Sequence, residues 1–144
     1  MDLRMMIVED LRPDAERLER LLKKEFSAET VLCRRFESGD DFLSFFTVGS
    51  ADVVFLDICM EGTNGIGTAR QLREKDPHLL IVFVTSSPEY VWEAFPVHPF
   101  DYLLKPYKEE KIRQPLSVDR IISTRCSTKR CSGFRRKIWI PFLP

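Results

Sequence analysis

Two uninterrupted apolar runs, Val53-Val54-Phe55-Leu56 and Leu79-Leu80-Ile81-Val82-Phe83-Val84, constrain this chain more than any other feature. A strand wet on one face alternates apolar and polar residues, whereas a run without a polar member needs cover on both faces. Between the two, Asn64 to Lys75 carries Ile66, Ala69 and Leu72 at helical spacing and stops at Asp76-Pro77. A buried strand, a helix and a second buried strand make a parallel pair with a crossover. The first run ends on a lone carboxylate, Asp57. Such a group is costly in low dielectric unless it is paired or sits at the solvated strand end. An aspartate that merely stops the strand or caps the next turn satisfies the same pattern.

The flanking sequence extends the alternation. Leu3 to Val8 is apolar apart from Arg4 and runs into Glu9-Asp10, a second acidic strand end. Pro13 suits the first turn of a helix that carries Ala15, Leu18, Leu21, Leu22 and Phe26 on one face and charges on the other. Val31 to Phe36 is a mixed strand suited to a sheet edge, and Glu37-Ser38-Gly39-Asp40 leads into a helix with Phe42, Leu43, Phe45 and Phe46. After the second apolar run come Thr85-Ser86-Ser87, then a short helix from Glu89 to Phe95 stopped near Pro96. The last strand, Phe100 to Leu104, hands over Lys105-Pro106, and a further helix begins near Tyr107 with Pro115 inside it as a kink or interruption. Five strands alternating with five helices predict an α/β fold, a doubly wound open parallel sheet with helices on both faces.

Charge divides the chain. Of its 22 basic residues seven lie from Arg120 onward, where no Asp or Glu occurs. The 22 acidic residues all precede it, so a body of net charge −7 is followed by a tail of +7. The tail reads as a solvated linker or part of another domain rather than a nucleic-acid contact in itself. Cys33, Cys59, Cys126 and Cys131 have neither paired spacing nor nearby histidines, which argues for reduced thiols and against a zinc site. No apolar run approaches a membrane span and the first residues lack a signal-peptide pattern, so a cytoplasmic location is the expectation.

In an open parallel sheet, ligands bind beyond the carboxyl ends of the strands. Those ends supply Glu9 and Asp10, Asp57, Thr85 and Lys105. Three carboxylates held together raise one another's pKa values unless a cation intervenes, and a hard ion such as Mg²⁺ (or Mn²⁺) suits an all-oxygen set. Asp57 can then act as a carboxylate nucleophile toward a phosphoryl donor. Thr85 supplies a hydroxyl donor and Lys105 a point cation for the phosphoryl oxygens.

These residues, in this order, resemble the receiver domain of two-component response regulators. The resemblance spans residues 3 to about 122. It implies the sheet order 2-1-3-4-5, an acidic pair at Glu9 and Asp10, a phosphoacceptor at Asp57, and metal ligation completed by the backbone carbonyl of Cys59. It also implies a switch pair in Thr85 and Tyr102, a phosphoryl-binding Lys105, and phosphorylation by a sensor histidine kinase. The output face would be the fourth helix, fifth strand and fifth helix, where Tyr90, Val91, Trp92 and Phe95 form a partner surface or simply pack the core, with a homodimer as one result of activation. Asp57-Ile58-Cys59-Met60-Glu61-Gly62 and Phe100-Asp101-Tyr102-Leu103-Leu104-Lys105-Pro106 resemble regulators with a LytTR-type DNA-binding domain. Glu61 stands where many receivers carry proline, which affects the loop more than the chemistry.

The expected division is a receiver over 1–122 and, over 123–144, a basic linker with a fragment resembling the first strand of a LytTR domain, Phe134 to Phe142. DNA would be bound only through the remainder of that domain, which this chain does not include. The chain is thus expected to be a self-phosphorylating and self-dephosphorylating switch rather than a metabolic enzyme. A phosphorylation-independent interaction module is the alternative, and the filled acidic, hydroxyl and lysine positions oppose it. An aspartyl phosphatase would need an acid–base carboxylate two residues after its nucleophile, where Cys59 stands.

Overall fold

The computed structural model describes residues 3–26, 31–60, 64–107 and 112. Within them β1 (Leu3–Val8), α1 (Arg12–Glu25), β2 (Val31–Phe36), α2 (Gly39–Phe45), β3 (Val53–Leu56), α3 (Gly65–Lys75), β4 (Leu80–Thr85), α4 (Val91–Ala94) and β5 (Asp101–Leu104) follow one another. All strand pairs are parallel and the sheet order is β2-β1-β3-β4-β5. This is the doubly wound sheet expected from the apolar runs. Its strand order reverses beside β1, so the ends of β1 and β3 flank the crevice where such folds place ligands.

Cover on both faces explains the lack of polar residues in the central strands. Met5, Ile7, Val53, Phe55, Val82 and Val84 point to a cluster with Ala15, Leu18 and Leu22 of α1. Their neighbours Met6, Val8, Val54, Leu56, Ile81 and Phe83 point to the other face, against Phe42 of α2, Ile66, Ala69 and Leu72 of α3 and Ala94 of α4. The period of two survives, but both phases are apolar.

Local signals set the helix ends. Ser38 accepts from Asp41 N–H at 3.0 Å and Asn64 from Ile66 N–H at 2.8 Å, so Asn64 caps α3 rather than opening it. In α1 no side chain caps Leu11, but Pro13 and Asp14 occupy the first turn and Lys23 and Lys24 the last, as the helix dipole favours. The segment expected as one short helix from Glu89 to Phe95 is instead a single α turn between 3₁₀ turns at Pro88–Tyr90 and Phe95–Val97. Pro88 begins the first of those turns and Pro96 is the second residue of the other, and neither can donate the hydrogen bond a continuous α-helix needs.

β2 is an edge strand, as its mixed composition predicts. Arg34 lies over the rings of Phe36 and Phe45, 5.4 and 4.3 Å from their centroids, and Arg35 pairs with Glu16 and Glu19 of α1. The expected helix after Tyr107 with Pro115, the loop at Glu61, and the basic tail with its two cysteines lie outside the described residues, apart from buried Ile112. No helix among the described residues is long and apolar enough to cross a membrane.

Candidate phosphoacceptor and metal site

β1 and β3 run side by side, with Val8 opposite Leu56, and this register delivers Glu9 and Asp57 together at one edge. Asp57 N–H donates to Val8 O at 3.0 Å and Glu9 N–H to Phe36 O at 3.0 Å, so backbone bonds continue the ladder into both acidic residues. One carboxylate oxygen from each of Glu9, Asp10 and Asp57 lies within 4.8 Å of the others. Glu9 and Asp57 are buried, at 7% and 4% exposure, while Asp10 is not. Two buried carboxylates beside a more open one form a pocket with a solvent side. An oxygen-only donor set that leaves room for water fits Mg²⁺ or Mn²⁺ better than a softer ion.

The ammonium of Lys105 occupies the inner side of this pocket. It donates to Glu9 Oε2 at 2.8 Å, Asp14 Oδ2 at 3.0 Å and Asp57 Oδ2 at 3.4 Å. The second oxygens are held by backbone: Glu9 Oε1 accepts from Leu11 N–H at 3.2 Å, and Asp57 Oδ1 from Cys59 N–H at 3.1 Å. Asp57 therefore presents Oδ2 toward the lysine. Burial, and then the Asp57 charge, push the Glu9 carboxyl above the usual carboxylate range, although the Lys105 contact opposes this. For Lys105, burial works against the charge, but Glu9, Asp14 and Asp57 together outweigh it and lift its pKa. Both directions mark a pocket with more negative charge than one ammonium balances.

The hydroxyl partners sit one step further out. Thr85, fully buried at the end of β4, donates to the Cys59 sulfur at 3.7 Å and accepts from Ser87 N–H at 3.3 Å. The Cys59 thiol in turn donates to the Ser87 hydroxyl oxygen at 3.7 Å. Tyr102 on β5 packs against Phe83 with ring centroids 6.0 Å apart and donates its hydroxyl to Ser87 O at 2.7 Å. Thus Thr85 and Tyr102 grip the same Ser87, and Cys59 links that loop to Asp57. Cys59 meets Asp57 through its N–H and Thr85 through its thiol. On the nearby α4 turn Trp92 is exposed, at 78%, while Tyr90 and Val91 pack partly against the core.

Gly65 at the start of α3 sets how closely this loop folds back. A Cβ there would lie 2.1 Å from Asp57 O and 2.7 Å from Ile58 Cα, both backbone atoms with no room to yield. Glycine is needed here for that close approach, which keeps Asp57 under the α3 N-terminus. Asp14, the third partner of Lys105, escaped the sequence reading. Its only signal was a carboxylate in the first turn of α1, which the helix dipole explains without any site.

With the geometry in view, residues 5–117 match the family described as the response regulator receiver domain. The chain is 38% identical over 132 residues to the sensory transduction protein LytT of Oceanobacillus iheyensis, covering 90% of this chain and 52% of that protein. It is 34% identical over 110 residues to the transcriptional regulatory protein YpdB of Escherichia coli K12, covering 76% of this chain and 44% of the other. The chain spans about half the length of the curated relatives it matches. Among solved structures, the response regulatory domain of protein mrkE from Klebsiella pneumoniae aligns with a TM-score of 0.71 at 28% identity, over 89% of this chain and 99% of that one. The chain belongs to the response regulator receiver domain family.

Proposed function

We propose that this chain is the phosphorylation-dependent receiver of a two-component system, accepting a phosphoryl group on Asp57 from a sensor histidine kinase. The observation that carries the reading is the pocket in which Asp57 Oδ2 faces the Lys105 ammonium at 3.4 Å beside the Glu9 and Asp10 carboxylates. A bound Mg²⁺ would be held by Glu9, Asp10, Asp57 and the Cys59 carbonyl, and it supplies charge neutralisation for the incoming phosphoryl oxygens. The chain's own residues do the rest. Asp57 attacks phosphorus, the donor's P–N bond breaks, and an aspartyl phosphate forms. Lys105 stabilises the phosphoryl charge, and the Thr85 hydroxyl leaves the Cys59 sulfur to donate to a phosphoryl oxygen.

Phosphorylation adds about −1.5 to −2 charges at pH 7 to a pocket already rich in negative charge. Since Thr85 and Tyr102 share the Ser87 segment, turning Thr85 toward Asp57 releases the loop that Tyr102 holds. That shift carries the signal to the face of α4, β5 and the helix expected after β5, where exposed Trp92 lies. States that differ by a few kcal/mol are redistributed by such contacts. Residues 1–122 form the receiver, and 123–144 the basic linker and the start of a LytTR-type domain through which DNA would be bound. The relative YpdB, a transcriptional regulatory protein, supports that output. Hydrolysis of the aspartyl phosphate at the same site resets the switch, in the cytoplasm, without metabolic turnover.

The test is intact-mass measurement after incubation with acetyl phosphate and Mg²⁺. One phosphate adduct is expected on the wild type and none on Asp57→Asn. An adduct on both would move the acceptor elsewhere, and none on either would favour a phosphorylation-independent interaction module.

A further inference from the structure

Lys105 has three carboxylate partners, and only two of them belong to the acidic cluster suited to a metal. Asp14 is the third: it comes from α1 and lies outside the set of oxygens within 4.8 Å of one another. Its contact with the ammonium, 3.0 Å, lies between that of Glu9, 2.8 Å, and that of Asp57, 3.4 Å. Glu9 and Asp57 side chains are nearly inaccessible, 6% and 5%, whereas Asp14 is 42% exposed and can keep a charged partner at little desolvation cost. A divalent ion held by Glu9 and Asp57 repels an ammonium that touches the same two carboxylates. Asp14 offers that ammonium a place one contact away from them.

The frame around Asp14 keeps it aimed. Arg17, three residues further along α1 and on the same face, donates to Tyr107 O at 3.0 Å and lies 5.0 Å from the centre of the Tyr107 ring. α1 thus grips the end of β5 twice, through the lysine side chain and through the backbone two residues later. The first turn of α1 cannot drift from Lys105 without breaking the second grip.

We propose that Asp14 is a positioning residue that draws the Lys105 ammonium off the metal-ligating carboxylates, so that Lys105 does not block the divalent-cation site. This rests on the reading of Glu9, Asp10 and Asp57 as ligands for Mg²⁺, and not on phosphoryl transfer. Asp14 acts through Lys105 and touches neither the ion nor Asp57.

The experiment is Mg²⁺ titration of the full chain, followed by calorimetry in the absence of any phosphodonor, as a double-mutant cycle. Asp14→Asn should weaken Mg²⁺ binding about 2- to 5-fold, the range of a part-exposed ion pair. Asp14→Glu should recover most of the loss. In a Lys105→Met background, where no ammonium needs a resting place, Asp14→Asn should leave the affinity unchanged. Equal losses in both backgrounds would make Asp14 a distant charge and overturn the proposal, as would no loss in the wild-type background. A wild type that binds no Mg²⁺ would overturn both this assignment and the metal site on which it rests. A wild type that binds Mg²⁺ but takes up no phosphate would overturn only the proposed phosphoacceptor function. Coincident thermal unfolding of the variants in excess EDTA shows that the differences are not a loss of fold.

Discussion

The two edges of the sheet are tied by opposite chemistry. At the carboxyl edge one ammonium, Lys105, is shared among three carboxylates. At the amino edge one guanidinium, Arg73 of α3, is shared among five backbone carbonyls. Its Nε donates to Val97 O at 2.8 Å, Nη1 to Leu79, Pro77 and Asp76 oxygens at 2.6, 3.1 and 3.4 Å, and Nη2 to His98 O at 3.1 Å. Carbonyls keep their dipoles whatever binds elsewhere, whereas carboxylates exchange partners when a cation or phosphoryl group arrives. One edge is a fixed hub, and the other is built to be re-sorted.

The largest test of that contrast is Arg73→Ala. It strips charge-assisted partners from carbonyls that join α3, the start of β4 and the approach to β5, and should cost about 2–4 kcal/mol in urea unfolding. Mg²⁺ affinity should not change. A parallel loss of affinity would mean that the two edges are coupled through the sheet.

Next in size is the pH response of the metal-free chain. The folded-state pKa of Glu9 is raised, so the folded chain keeps a proton that the unfolded chain releases near 4.5. Glu9 then contributes stability that is fully present below pH 4.5 and is lost as pH rises toward about 8. Denaturant midpoints in EDTA should fall over that window, more steeply than in Glu9→Gln. Saturating Mg²⁺ should flatten the slope. Arg73→Ala should lower the whole curve without changing its shape, which separates the edges again.

The smallest effect belongs to the amino edge. His98 sits in the left-handed region, φ 52°, a conformation that an L-residue adopts at a cost. His98→Gly keeps the backbone carbonyl that Arg73 grips and relieves the strain, partly offset by the freedom glycine adds to the unfolded chain. A gain of about 0.5 kcal/mol is expected by thermal unfolding, and a loss would show that the imidazole itself holds the turn.

The edges also differ in how legible they were. Glu9, Asp57, Thr85 and Lys105 could be read because each follows an apolar run, and a charged or hydroxyl residue there breaks a pattern with few exceptions. The sheet order needed the family resemblance, since periodicity places strands but does not rank them. Arg73 could not be read, because its partners are backbone oxygens that carry no residue identity. Asp14 could not be read because its place in the first turn of a helix already had a sufficient cause. Gly65 stands between Gly62 and Gly67 in the sequence, but its necessity appears only when its missing Cβ is placed against the carbonyl of Asp57. The broken α4 turn was half legible: Pro96 announced the stop, while the 3₁₀ geometry on either side depends on where the carbonyls fall.

The outer strand β2 carries a consequence for association. Among the described residues its outer backbone row has no strand beside it and would accept an added one, the route by which sheet proteins aggregate. Arg34, seated on two phenylalanine rings, and Arg35, committed to two glutamates, stand beside that row, and an incoming strand would have to desolvate or dislodge both. The same two arginines that pack the margin of the sheet act as its gatekeepers, protecting concentrated solutions of this chain against edge-to-edge polymerisation.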